Sequence, residues 1–203
     1  MRIVDCDVHV REVPSELVQY CEMPWRKAVE NIPRESEFES TVGNYSLPGL
    51  SPGAGDGAEP LWPGGQNRPQ SVISPTQCRQ DLDSFGIESA ILFPDYLLTI
   101  NLLADIDYAT ALANAYNKWL IDKWLSPTEG FYGAICLNPG DPEGAARMIR
   151  EHAGNNKMVC AYMPASGINP LMGDKKYYPI YEAAQEAGIP VGVHGLAIIY
   201  PIF

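Results

Sequence analysis

No stretch of the 203 residues approaches the ~20 consecutive apolar residues that a membrane-spanning helix needs. The opening ten, MRIVDCDVHV, hold Asp5, Asp7 and His9 where a secretory signal would need an unbroken apolar core, so a cytoplasmic location is expected. Cations are scarce: 14 Lys+Arg stand against 25 Asp+Glu, for a formal net charge of −11. A surface of that sign repels phosphates, so neither nucleic acid nor an anionic membrane is an expected partner. No two cysteines form a CxxC pair. The five present (Cys6, Cys21, Cys78, Cys136 and Cys160) are odd in number and scattered, which excludes a thiolate zinc site and gives no disulfide framework. They are expected to be buried or half-buried thiols in a reducing compartment. Histidine is rarer still, with only three in the chain.

Apolar residues make up 46% and aromatics 10%, an ordinary proportion that excludes disorder and suits one domain over residues 1–203. Gly and Pro are in excess, at 18 each, and they crowd into Leu47–Gln70. Periodicity fails from Arg11 to about Ile73, so residues 11–73 are expected to form one long loop insertion, of the kind that covers a site.

Elsewhere the chain alternates regularly. Arg2–Val10 has period-2 spacing that puts Asp5, Asp7 and His9 on one strand face. Ser74-Pro75 caps a helix that ends at Gly86, and the apolar run Ser89–Phe93 reads as a buried strand. A long helix is expected from about Asp105 to Leu125, then a strand over Phe131–Leu137. Asp141-Pro142 opens another helix, Met158–Met163 is a strand, Tyr177–Ala187 is a helix closed by Gly188, and Pro190–His194 is a fifth strand. Strand and helix in strict turn imply right-handed crossovers and a parallel sheet, an α/β fold.

Parallel α/β folds hold reactive groups at the carboxyl ends of their strands. Asp7 and His9 lie there on strand one, two residues apart and so about 6.6 Å apart on one face. His194 is the last residue of strand five. One carboxylate and two imidazoles are a ligand set for zinc, manganese or iron(II). A lone D-x-H pair is common; the joint placement at one end of two parallel strands is what marks these three. His152 sits late in a helix, where a cation suits the C-terminal dipole, and carries no functional weight.

DCDVH, CRQDLDSFGIESAILFP, YATALANAYNKWLIDKWL and PLMGDKKYYPIYEAAQEAGIPVGVHG together resemble the amidohydrolase-related superfamily. The closer resemblance is to its metal-dependent decarboxylases and hydrolases, relatives of aminocarboxymuconate semialdehyde decarboxylase. It implies a distorted (β/α)8 barrel of TIM type, here partial, with strands 1 to 5 and the Pro/Gly-rich insertion after strand one. It also implies one divalent metal, commonly zinc and sometimes manganese. The family's strand-one motif, H-x-H or E-x-H, matches Asp7 and His9, and its strand-five ligand matches His194. Asn117 falls in a recurrent N-x-W stretch with a structural role. Asp5 is expected as a supporting group behind the metal ligands. Arg11, and Trp62 in the long loop, are candidates to contact an aromatic acid.

The activity implied is non-oxidative decarboxylation of a small aromatic or unsaturated carboxylic acid. The alternatives are hydrolysis of an ester, lactone or amide, and a non-catalytic metal-binding remnant. A full barrel needs about 250 residues. The family's strand-six His and strand-eight Asp have no counterpart in these 203. Three accounts of this are open: a truncated chain, completion by a partner, or a smaller fold. An open sheet edge would also favour a homo-oligomer.

Overall fold

Short apolar runs, each stopped by a polar turn or a proline, become five strands: β1 Val4–Val10, β2 Ser89–Pro94, β3 Phe131–Cys136, β4 Met158–Pro164 and β5 Val191–His194. They are seen in a computed structural model of the chain, which describes residues 2–31, 74–126, 128–165 and 167–194. The strands lie in one parallel sheet in the order β1-β2-β3-β4-β5, the order of the chain itself. Flat strands about 4.8 Å apart would hold β1 and β5 nearly 20 Å from each other. Instead the rings of His9 on β1 and His194 on β5 have centroids 4.9 Å apart. The sheet is therefore curled into a half-barrel, the first five strands of a (β/α)8 architecture.

Helices pack on the outside of the curl: α1 Pro14–Leu17, α2 Trp25–Glu30, α3 Pro75–Ser84, α4 Ile106–Trp119, α5 Pro142–His152 and α6 Tyr178–Ala187. Three of them start on side-chain caps. Ser74 Oγ accepts from the Gln77 N–H, Asp105 Oδ1 from Tyr108, and Asp141 Oδ1 from Gly144. Gly188, at φ +67°, takes the left-handed cap that ends α6.

The expected helix from Asp105 to Leu125 changes pitch partway. Leu120–Leu125 winds as a wider π-helix, closed by the Ser126 N–H donating to the Ile121 carbonyl at 3.0 Å. Trp124 there packs its ring 6.0 Å from Trp119 and 6.5 Å from Phe131 of β3. A 3-10 helix over Tyr96–Leu102, which the apolar pattern does not announce, follows β2 directly.

Part of the segment expected to be loop is helical. α1 and α2 are too short to display periodicity, yet they bury Leu17 and Val29 in the common core, together with Cys21 from the connection between them. Trp119 Nε1 donates to Glu16 Oε2 at 2.7 Å, which ties α1 to α4. Residues 32–73, with the Pro/Gly-rich stretch and Trp62, lie outside the described residues. All five thiols are free; Cys21, Cys78, Cys136 and Cys160 are buried as expected, and Cys6 on β1 is exposed.

Asn117 locks the helix layer to the sheet. From inside α4 its Nδ2 donates to the Cys136 carbonyl at 3.0 Å, and its Oδ1 accepts the Cys136 N–H at 2.8 Å. Both groups are fully buried, so each lost partner leaves a desolvated dipole unpaired. An Asn117→Ala variant is expected to lose about 2–4 kcal/mol of stability, measured as a lower urea midpoint at unchanged m-value.

Candidate metal centre

The register of β1 against β2 decides which side chains enter the curl. Asp5 lies opposite Ala90, but Val8 lies opposite Leu92: three steps on β1 against two on β2, a β-bulge. The bulge reverses the phase. Val8 and Val10 are buried toward the helices, while Asp7 and His9 share the other side, with His9 opposite Phe93. Asp5 belongs to the helix-facing phase, and its charge is among those acting on the Cys78 thiol of α3. It therefore does not stand beside Asp7 on the inner face, as uninterrupted alternation would require. Its Oδ1 instead accepts the Asp7 backbone N–H at 3.0 Å, inside the bulge.

Asp7, His9 and His194 converge. One potential ligand atom from each lies within 4.8 Å of the other two. His194 Nε2 is 2.8 Å from Asp7 Oδ1, and His9 Nε2 is 3.4 Å from the same oxygen. The two rings meet edge to face. His9 Nδ1 is 2.7 Å from the Pro94 carbonyl oxygen, which can only accept, so Nδ1 carries the proton. In the neutral ring the Nε2 lone pair then points at a carboxylate oxygen. Two acceptors held together in this way are the electrostatic arrangement that a cation between them relieves. Among the described residues His194 Nδ1 is buried with no hydrogen-bond partner, which leaves Nε2 as the interacting nitrogen of that ring. The chemistry and convergence of this donor set fit a divalent ion.

Aromatic rings back the cluster. Phe93 lies 6.4 Å from the His9 ring and 5.8 Å from that of His194, and Tyr162 of β4 stacks edge to face on Phe93 at 5.8 Å. Asp7 stays open, with 63% of its side chain exposed, whereas His9 and His194 keep only 26% and 20%. Arg11, just beyond β1, is held at the same end: its Nε donates to the Tyr96 hydroxyl, and its guanidinium carbon lies 5.2 Å from that ring's centroid. His152 is remote from the site. It donates Nε2–H to Asn114 Oδ1 at 3.1 Å in the helix layer, and burial lowers its pKa. The neutral form is thus favoured over the cation that the helix dipole would suit.

One residue was missed from the sequence. Glu12 is fully buried, and its carboxyl accepts the backbone N–H groups of Asp95 (3.3 Å), Tyr96 (2.9 Å) and Leu97 (3.1 Å). The signal was there in the phase: Val8, Val10 and Glu12 follow each other at steps of two on the buried side. A carboxylate in an apolar phase marks a buried polar anchor.

The amidohydrolase family model matches residues 4–203. Curated proteins offer no match. A manganese-bound 5-carboxyvanillate decarboxylase from Novosphingobium aromaticivorans, in complex with 4-hydroxy-3-methoxy-5-nitrobenzoic acid, superposes with a TM-score of 0.60 at 20% identity, over 95% of this chain and 50% of that one. A dihydroxybenzoic acid decarboxylase from Polaromonas, with manganese and 2-nitroresorcinol, gives 0.61 at 19% identity, over 97% and 50%. An amidohydrolase from Mycobacterium avium subsp. paratuberculosis gives 0.61 at 17% identity, over 95% and 57%. The chain thus spans about half the length of the solved structures it resembles. At these identities the likeness establishes the fold.

Burial pushes the Glu12 carboxyl up from 4.5 to about 7, against the N–H bonds of Tyr96 and Leu97 and with some help from the Asp95 charge. The folded chain therefore keeps a proton that the unfolded chain has released. Its contribution to stability is complete below about pH 4.5 and disappears as pH rises to about 7, on the order of 3 kcal/mol in all. Glu12→Gln is expected to flatten that part of the profile, measured by urea unfolding across this window.

Proposed function

Because this chain belongs to the amidohydrolase family, we propose that it supplies the metal-binding half of a barrel that decarboxylates a small aromatic or unsaturated carboxylic acid. The observation that carries this reading is the convergence of Asp7, His9 and His194 at the carboxyl ends of β1 and β5. These three residues would hold one divalent ion. Zinc and manganese both suit a carboxylate with two imidazoles, and manganese is the ion in the two decarboxylase structures named above. Bound there, the ion supplies Lewis-acid polarisation of an acidic oxygen of the substrate.

The chain's own groups do the rest. Asp7 contributes a carboxyl group, a hard oxygen donor that suits a divalent cation at that spot. The Pro94 carbonyl keeps the proton on His9 Nδ1 and thereby leaves Nε2 free to ligate. Phe93 and Tyr162, both buried, back the two histidines with apolar rings and keep water from that side. Arg11, steadied by Tyr96, presents a guanidinium to the substrate's carboxylate. Asp5 supports Asp7 through its backbone. Among the described residues no helix is long and apolar enough to cross a membrane. Together with four buried free thiols, this favours the cytoplasm as the compartment.

Metal analysis of the purified protein is expected to give about one equivalent of zinc or manganese, falling below about a tenth of that in Asp7→Asn and in His194→Ala. Carbon dioxide release across a panel of hydroxybenzoic acids, with all other bonds retained, is the expected chemistry. Cleavage of an ester, lactone or amide panel instead would replace decarboxylase by hydrolase. Arg11→Gln is expected to raise KM about tenfold or more with a smaller change in kcat, read from initial rates.

A further inference from the structure

The exit of β1 and the exit of β2 are fastened side by side, and five of the hydrogen bonds that do so pass through four consecutive residues, Pro94 to Leu97. The Pro94 carbonyl accepts from His9 Nδ1. The Tyr96 hydroxyl accepts from Arg11 Nε. The N–H groups of Asp95, Tyr96 and Leu97 all donate to the one carboxyl of Glu12. His9 and Arg11 alternate with Val10 and Glu12, so the two exposed tasks, ligation and anion contact, fall on one side of the chain. The anchor falls on the other, where Glu12 is fully buried.

We propose that Glu12 is a positioning residue: by gripping the 95–97 turn it places the Pro94 carbonyl against His9 and the Tyr96 hydroxyl against Arg11. The geometry explains why an acid occupies a core position at all. Three backbone N–H groups lie within reach of one side chain, where an apolar residue would leave all three unpaired. The ionised carboxyl offers acceptors at both oxygens and no donor, and Oε2 takes Asp95 and Tyr96 while Oε1 takes Leu97. An amide of the same shape has only one accepting atom and turns an NH2 against donors on its other side. The turn must then shift. Because the Asp95 N–H belongs to the same peptide unit as the Pro94 carbonyl, the shift is transmitted directly to the atom that fixes the His9 tautomer. This inference rests on the reading of His9 as a metal ligand only for its consequence; the tautomer itself is independent of metal.

Two readouts separate the claims. In metal-free protein, long-range 1H–15N correlation of the imidazoles is expected to show His9 as the Nδ1–H tautomer, converting largely to Nε2–H in a folded Glu12→Gln variant. Cobalt(II) affinity, followed by its visible absorption, is expected to fall about tenfold or more in that variant. Glu12→Met, equal in length and devoid of donors, carries the same readouts should the amide prevent folding. Retention of the Nδ1–H tautomer in either folded variant overturns the inference. His194→Ala is the control for the underlying reading. If it leaves cobalt binding intact, the metal centre is wrong, while the His9 tautomer still decides the role of Glu12.

Discussion

Strands β1 and β5 are the two ends of the described sheet, separated by three others, and yet His9 and His194 touch across it. Only curvature brings them together, and curvature is a property of the entire sheet rather than of either strand. Parallel pairing sets the staggered tilt of successive strands, and an outer layer of helices bends the sheet around an inner face. The candidate metal centre therefore depends on the packing of that outer layer. Asn117, Trp119 and Trp124, none of which approaches the site, hold α4 and its π continuation on the back of β3. Their burial maintains the bend that closes the distance between two histidines 185 residues apart in the chain.

A second constraint operates locally. Side-chain direction along β1 has period two, so the bulge between Asp5 and Val8 reassigns every side chain on one side of it. Asp7 and His9 point inward because of it, and Asp5 does not. The same phase carries forward past the strand's end, where it puts Arg11 with the site and Glu12 with the core. In that stretch of eight residues, the acidic and basic groups do different work because the backbone turns them to different environments. Asp7 remains largely open and available to a cation. Glu12 is enclosed, and the loss of its hydration, with a smaller push from the Asp95 charge, moves its proton affinity into the neutral range.

Much of this was legible from the residues in order. Ser74 and Asp141 announced helix starts because capping is a short-range hydrogen bond between neighbours in sequence, and Asp105 caps a third in the same way. The five strands were legible because buried parallel strands are short apolar runs. Asn117 read as structural and is a double hydrogen-bonded link between helix and sheet. What escaped notice shares a different feature. α1 and α2 are each shorter than two turns, too brief for a 3.6-residue period to emerge. The widening of α4 into a π-helix obeys packing on Phe131, and the bulge in β1 obeys its register with β2.

By itself, then, the sequence determined the alternation of elements, the starts of three helices, and the three candidate ligands at strand ends. These rest on interactions between residues at most a few positions apart. The tertiary structure alone decided that Asp7, His9 and His194 meet, that Asp5 turns away, and that Glu12 rather than Asp5 is the buried acid beside the site. Each of those outcomes is set by a partner on another strand, through register, curvature and loss of solvent, and no local pattern encodes where that partner will stand.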